Sequence, residues 1–264
     1  MGRKWILALA VTAALSLGVA AIASAVTFTT EVGKLVMTFG AEGSPRKLPR
    51  NEYAPATTTL FGKIKTTDGK HPSALREAIA DIDKDVRVNV KGLPVCKAGE
   101  LEAQNTQGAL RACGDAEIGS GSAHAEIAFP EQPPIKVASP LKIFNGGEKG
   151  GKVKLWIHSF ITVPVPAAIV TDVTVTRKGT GLHSIAKIPV IAGGSGSAVD
   201  FRFKLGKTFS YKGKRVGYGE GKCPDGVFKI RVSKFFFKNE AREPEVPATT
   251  NVSGAVGVPC TPGG

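Results

Sequence analysis

Past Ile22 the chain has no second long uncharged run, and aromatic residues make up only 7% of its 264 positions. Histidine and cysteine occur four times each. Each scarcity excludes something. Without another apolar span of about 20 residues, a multi-helix membrane protein is ruled out. His71, His124, His158 and His183 fall in no HExxH or other paired-ligand spacing, so no zinc hydrolase signature is present. There is no CxxC, which removes the thiol-redox motif and the zinc knuckle alike. No G-x-S-x-G elbow occurs, and Gly194-Ser195-Gly196 sits in a Gly/Ser turn. Long helical patterns, βαβ alternation and repeats of fixed period are also missing.

What is present starts with an address. Arg3 and Lys4 precede the uncharged run Trp5–Ile22, and Ala23-Ser24-Ala25 follows as a small-x-small site. This predicts a signal peptide over 1–25, cut after Ala25, and a secreted or cell-envelope-associated mature chain. An uncleaved anchor is the rival reading, because the run approaches spanning length. Cys96, Cys113, Cys223 and Cys260 all lie in the exported part. An even count in an oxidising compartment predicts two disulfides. Three pairings are open. The simplest joins Cys96 to Cys113 and Cys223 to Cys260, each within one segment.

The remainder reads as about a dozen short strands separated by turn signals. Ile169–Thr176 alternates apolar and polar residues, and Pro224-Asp225-Gly226 separates two further runs. The fold class is therefore all-β, an antiparallel sandwich with little helix. Residues 26–56 form an N-terminal strand and a Pro-rich connection, and 57–239 the sandwich region. A lobe boundary near 130–135, where Pro is dense, stands beside one continuous domain as an alternative. Residues 240–264 are a Pro/Gly/Thr-rich segment tied by Cys260, with no strand assigned. One stretch is ambiguous. Leu75, Ile79, Ile82 and Val86 behind Ser73 have helical spacing and favour a short helix over 73–85, whereas Val86, Val88 and Val90 alternate as in a strand.

Charge is concentrated. The chain carries 35 Lys and Arg against 22 Asp and Glu, and Arg202–Lys238 holds eleven of the former with only Glu220 and Asp225. Arg202 and Lys204 alternate with Phe201 and Phe203, and Lys229 and Arg231 with Phe228 and Ile230. Period 2 sends the two sets to opposite faces. With Lys234, these five cations are the candidate contacts for an anionic cell-wall polymer or a membrane surface. A solvated face that guards strand edges is the plainer reading. Nucleic acid is disfavoured, since the aromatics alternate inward and cannot stack on bases. Asp81, Asp83 and Asp85 open like a calcium loop, but Val86 and Gly92 stand where its glycine and glutamate belong. No metal and no cofactor is expected.

Several stretches, in this order, resemble a loose group of uncharacterised secreted β-proteins of high-GC Gram-positive bacteria (actinobacteria). They are Ala74-Leu75-Arg76, Gly92–Cys96, Cys113–Gly121, Leu141–Asn145 and Cys223–Phe228, within Thr57–Phe237. Cys113-Gly114 departs from the group, where Cys-Pro is usual. The resemblance implies an exported β-sandwich, a Cys96–Cys113 bridge and a strand, not a helix, over Arg76–Asp83. It implies no activity. The expectation is a non-enzymatic exported β-protein with a structural or binding role. The alternatives are a hydrolase of envelope polymers and a lipid-binding carrier. A pocket-free basic sheet favours the first, an acidic pair across a cleft the second, and a closed apolar pocket the third.

Overall fold

A computed structural model describes residues 25–240, 242 and 246–263. The core of the expected signal peptide lies outside the described residues. Twelve strands form one antiparallel sheet: β1 (Val26–Val32), β2 (Leu35–Ser44), β3 (Thr57–Thr66), β4 (Ala74–Ile82), β5 (Glu117–Phe129), β6 (Gln132–Lys149), β7 (Lys152–Ile161), β8 (Ala167–Lys178), β9 (Gly181–Lys187), β10 (Gly196–Leu205), β11 (Val227–Lys238) and β12 (Thr249–Pro259). Their order is β1-β2-β3-β10-β5-β6-β7-β8-β9-β4-β11-β12. The sheet wraps until its two edges meet. At that seam β12 lies against β1 with no shared ladder, and Gly254 permits the approach: a Cβ there would stand 2.4 Å from the Phe28 ring. The all-β antiparallel fold read from the sequence is the one observed, with two walls of one continuous sheet facing each other across the core.

Alternation makes these strands. On β8, Ile169, Val173 and Val175 are buried with Thr171 on the same inner face, while Asp172 and Thr174 face out. On β11, Ile230 and Val232 face in and Lys229 and Arg231 out, until a bulge between Val232 and Phe235 shifts the register. Two inner clusters result, one around Met37, Phe39, Phe235 and Phe237, the other around Ile143, Leu155, Val173 and Leu182.

The structure corrects one local reading and describes two further segments. The stretch favoured as a helix by its spacing is β4, as the family resemblance implied. It is paired on both sides, by β9 and β11, and those two ladders outweigh a weak local helical pattern. In the Pro-dense segment near 130–135, Pro130-Glu131 is a turn and Gln132–Ile135 open β6, which pairs with β5. The C-terminal segment contains β12, whose Val252, Val256 and Val258 are buried at even positions, and Thr261–Gly263 pairs in parallel with Lys47–Pro49.

Both disulfides take the simplest pairing, Cys96–Cys113 and Cys223–Cys260. The second closes a separation of 37 residues and fastens the end of β12 to the start of β11. Replacing Cys223 and Cys260 with alanine is expected to lower unfolding free energy by about 3–4 kcal/mol in urea titrations, since loop closure in the unfolded chain is then lost.

The first disulfide belongs to a clamp on the outside of β7. Residues 93–116, including helix α1 (Thr106–Cys113), cover Phe144, Trp156 and His158. Asn105 caps α1 by accepting from the Gly108 N–H at 2.8 Å. Trp156 Nε1 donates to the Cys96 carbonyl at 2.9 Å, and His158 Nε2 lies 2.9 Å from the Gln104 carbonyl. His158 is wholly buried, and burial lowers its pKa below the ordinary histidine value. The unfolded chain therefore takes up a proton that the folded chain resists. Stability present at neutral pH is lost as pH falls below about 6.5. Melting temperature is expected to drop between about pH 7 and pH 5, and His158→Gln, which keeps a donor to Gln104, should flatten that drop.

Candidate functional site

Barrels of about eight strands are just wide enough for side chains to fill. Twelve strands enclose more, and the inward positions at the waist are small. Ala78 and Ala80 on β4, Ala123 and Ala125 on β5, and Ser184 and Ala186 on β9 face the interior. A cavity of ≈ 350 Å³ remains between them, walled further by Ile157, Val173, Phe201, Phe203, Ile230 and Val232. Its surface is overwhelmingly hydrocarbon. That volume falls within the range of about 300–1,000 Å³ usual for small-molecule sites.

The two ends differ. At one end the side chains of Ile127, Ile161, Ile169 and Ile191 come together. Val165 and Val190 are exposed on loops of this end, and Val32 and Ile135 are exposed near the ends of β1 and β6. The other end is crossed by a plug. Ala54–Pro55, Gly219–Gly221 and Val86–Val88 form a three-stranded antiparallel sheet over the opening. The Glu220 carboxylate is 3% exposed and sits on the cavity lining with Arg87. Its Oε2 accepts from Arg87 Nε at 2.6 Å and lies 2.6 Å from Nη2, and its Oε1 accepts from the Gly217 N–H at 3.2 Å. Gly217 is required for that turn, because a Cβ would meet the Gly219 carbonyl at 2.5 Å.

Tyr218 lies beneath the plug, among Ile143, Leu155, Leu182 and Val86. The residue is on the cavity lining, is 1% exposed, and its hydroxyl is packed within the core. Among the described residues its hydroxyl has no hydrogen-bond partner. Burial raises its pKa well above the ordinary phenol value, so it stays a protonated donor throughout the working pH range.

No family model, curated protein or solved structure matches this chain. Its function must therefore be read from geometry and chemistry.

The five candidate cations fall into two groups. Arg202 and Lys204 are on β10, and Lys229, Arg231 and Lys234 on β11, with β3, β2, β1 and β12 between the two strands. The alternation holds, since the cations face outward and Phe201 and Phe203 line the cavity. The structure does not bring all five together. Arg202 pairs with Glu42 at 2.9 Å and Lys234 with Glu77 at 3.0 Å, so part of their charge is answered within the fold.

Two further groupings have the ingredients of chemistry but not the setting. Ser197 Oγ lies 3.1 Å from His71 Nε2, and His71 Nδ1 lies 3.8 Å from Glu126 Oε2. The serine is 2% exposed and donates its proton to the Pro72 carbonyl at 2.7 Å. The neighbouring space holds only ≈ 10 Å³. A nucleophile needs room for a substrate beside it and its proton aimed at the base, so this trio ties β10 to the segment before β4. The three aspartates after Ala80 also diverge. Asp81 meets His183 at 2.7 Å, and this hydrogen bond lowers its pKa. Asp83 accepts from the Asp85 and Lys229 N–H groups, and Asp85 meets Lys222. Cys96, Glu100 and Cys113 come within ligand range of one another, but the two sulfurs are bonded to each other.

Sequence reasoning held a closed apolar pocket only as an alternative and did not single out Arg87, Tyr218 and Glu220 as a group. The available signal was the alternation of glycine with Tyr218 and Glu220 over 217–221, which marks close backbone approach.

Proposed function

We propose that this protein is an exported carrier that holds one hydrocarbon-chained ligand inside its wrapped sheet. The observation that carries this reading is the ≈ 350 Å³ apolar cavity. It is more than twice the ~150 Å³ engineered cavity that takes up benzene. Transfer of a chain from water into it gains about 0.8 kcal/mol per buried methylene. The faces of the sheet support a water-borne carrier. A transmembrane barrel is apolar outside and polar within, whereas here Arg202, Lys204, Lys229 and Arg231 are outside and alanine, valine and phenylalanine within. No helix of the described residues is long and apolar enough to cross a membrane. Two disulfides suit an extracellular compartment, as does the leading peptide.

The basic exterior and the apolar loop end fit the same reading. Cations draw a carrier to an anionic envelope surface, and Val165, 67% exposed, stands where a chain would pass into the isoleucine-closed end. Val165→Asp is expected to slow transfer of a fluorescent C16 alkyl probe from vesicles severalfold while leaving its equilibrium affinity unchanged. The reading itself is tested by titrating the purified mature protein with that probe. One saturable site per chain is expected. A lack of saturable binding, with the protein folded by circular dichroism, would remove the carrier reading and return attention to the basic exterior.

A further inference from the structure

The end of the wrapped sheet that carries the plug is also its basic end, and its cations are not the five that strand alternation singles out. The connections 45–56, 83–92 and 206–226 lie at this end and hold eleven Lys and Arg against five Asp and Glu. Two of those acids, Asp85 and Glu220, are buried and answered by Lys222 and Arg87. At the isoleucine end, among the described residues, the connections hold Lys34, Lys70 and Arg242 against Asp68, Glu131 and Glu240.

The densest part of the basic end is a hairpin. Thr208–Tyr211 and Lys214–Gly217 pair with each other and with no strand of the twelve-stranded sheet. Two residues turn the chain between them, both at positive φ, 49° at Lys212 and 72° at Gly213. Turns of this kind take Asn, Asp or Gly at the first place, since other side chains are strained there. Lysine at that place works against the fold and sets a cation on the tip. Gly92 lies on the Tyr211 ring, where a Cβ would stand 2.3 Å away, and this contact brings Lys91 to the same tip. Lys91, Lys212, Lys214 and Arg215 are exposed, and among the described residues none of them has an ion pair. Arg202 and Lys234, by contrast, are paired.

Like charges gathered without acids between them repel, and a partner with several negative charges relieves that repulsion while releasing its own counterions. We infer that this hairpin tip docks a linear anionic polymer without bases, each cation taking one charge of the chain. A bilayer surface fits less well, because the turn itself is Lys-Gly and Tyr211 is held against Gly92, so the tip has no apolar side chain to insert. A nucleic acid fits less well for a related reason, since base stacking needs a free aromatic face. The inference goes beyond the carrier reading and does not depend on it.

The test titrates the protein with end-labelled inorganic polyphosphate across a salt series. A tip variant carries Lys91→Gln, Lys212→Asn, Lys214→Gln and Arg215→Gln. Its low-salt affinity should fall at least about tenfold, and the slope of log affinity on log salt should become shallower by about 3, for four contacts at ~0.7 each. A wall variant with Arg202→Gln, Lys204→Gln, Lys229→Gln and Arg231→Gln removes the same net charge and should weaken binding at most about twofold, through the long-range field alone. Lys212→Asn by itself should raise the melting temperature, because the turn is relieved, and yet weaken binding severalfold. Both four-site variants should bind the C16 alkyl probe as wild type does. Equal losses in the tip and wall variants, or none in the tip variant, would overturn the assignment. So would tighter binding of oligothymidylate of equal charge, or binding to phosphatidylglycerol vesicles without binding to polyphosphate. If polyphosphate binds as expected and the C16 probe does not bind wild type, it is the carrier reading alone that fails.

Discussion

Replacing Ala80 and Ala186 together with phenylalanine is expected to weaken probe binding at least about 100-fold, since loss of only a few methylene contacts at ~0.8 kcal/mol each suffices. Both side chains face the cavity from neighbouring strands. Two rings there would occupy the space that the ligand needs. The same change should hold or raise thermal stability. On the scale of about 24 cal/mol per Å³, a space of this size withholds roughly 8 kcal/mol of packing, and part of that is recovered when rings fill it. Loss of binding with gain of stability distinguishes a filled site from a damaged fold. An outward substitution on the same wall, Thr174→Phe, should leave binding as it was. If the double variant still binds the probe with wild-type affinity, the ligand does not occupy the cavity.

The second large effect concerns the plug. Arg87→Leu leaves the Glu220 carboxylate buried, with only the Gly217 N–H to answer it. Removing one partner of a buried pair costs about 3–5 kcal/mol. Arg87 is itself 43% exposed, so water shares in the interaction and the lower end applies. A loss of about 2–3 kcal/mol is expected in denaturant titration, with faster probe dissociation as the plug loosens. Arg87→Leu combined with Glu220→Leu should recover most of the stability, because no charge is then stranded. A single variant as stable as wild type would show that the pair does not hold the plug. A double variant no better than the single one would show that packing, not charge, is what was lost.

How much of this was legible in the sequence follows from which forces were local. Strand after strand could be read because period-2 alternation is written in neighbouring residues, as over Ile169–Thr176. Of the three open cysteine pairings, the simplest by segment proximity is the one observed. The register of β4 was not legible. Leu75, Ile79 and Ile82 repeat at helical spacing, and only two partner strands distant in sequence override that pattern. β12 was hidden because it lies in a Pro-, Thr- and Gly-rich segment and only three valines mark its inner face. Helix α1 was missed for a similar reason. It is eight residues long, and its Asn105 cap is a common residue in a loop. The cavity is a property of strand count and closure. Alanines at 78, 80, 123, 125 and 186 look like weak strand residues in the sequence, and only the wrapped sheet turns them into the wall of a single space. The five cations illustrate the converse. Their outward direction was legible from alternation, but their separation onto two distant strands depends on sheet order, which no local pattern encodes.

The measurement that tests the central claim most directly is methyl NMR of the wild-type protein, selectively labelled at alanine, with dodecanol added. Intermolecular contacts from the ligand chain to the methyls of Ala80, Ala125 and Ala186 are predicted, with none to Ala109, which is buried under the outer clamp. Ligand contacts at outward-facing methyls alone, or shifts spread over the surface with the interior alanines unmoved, would contradict the account.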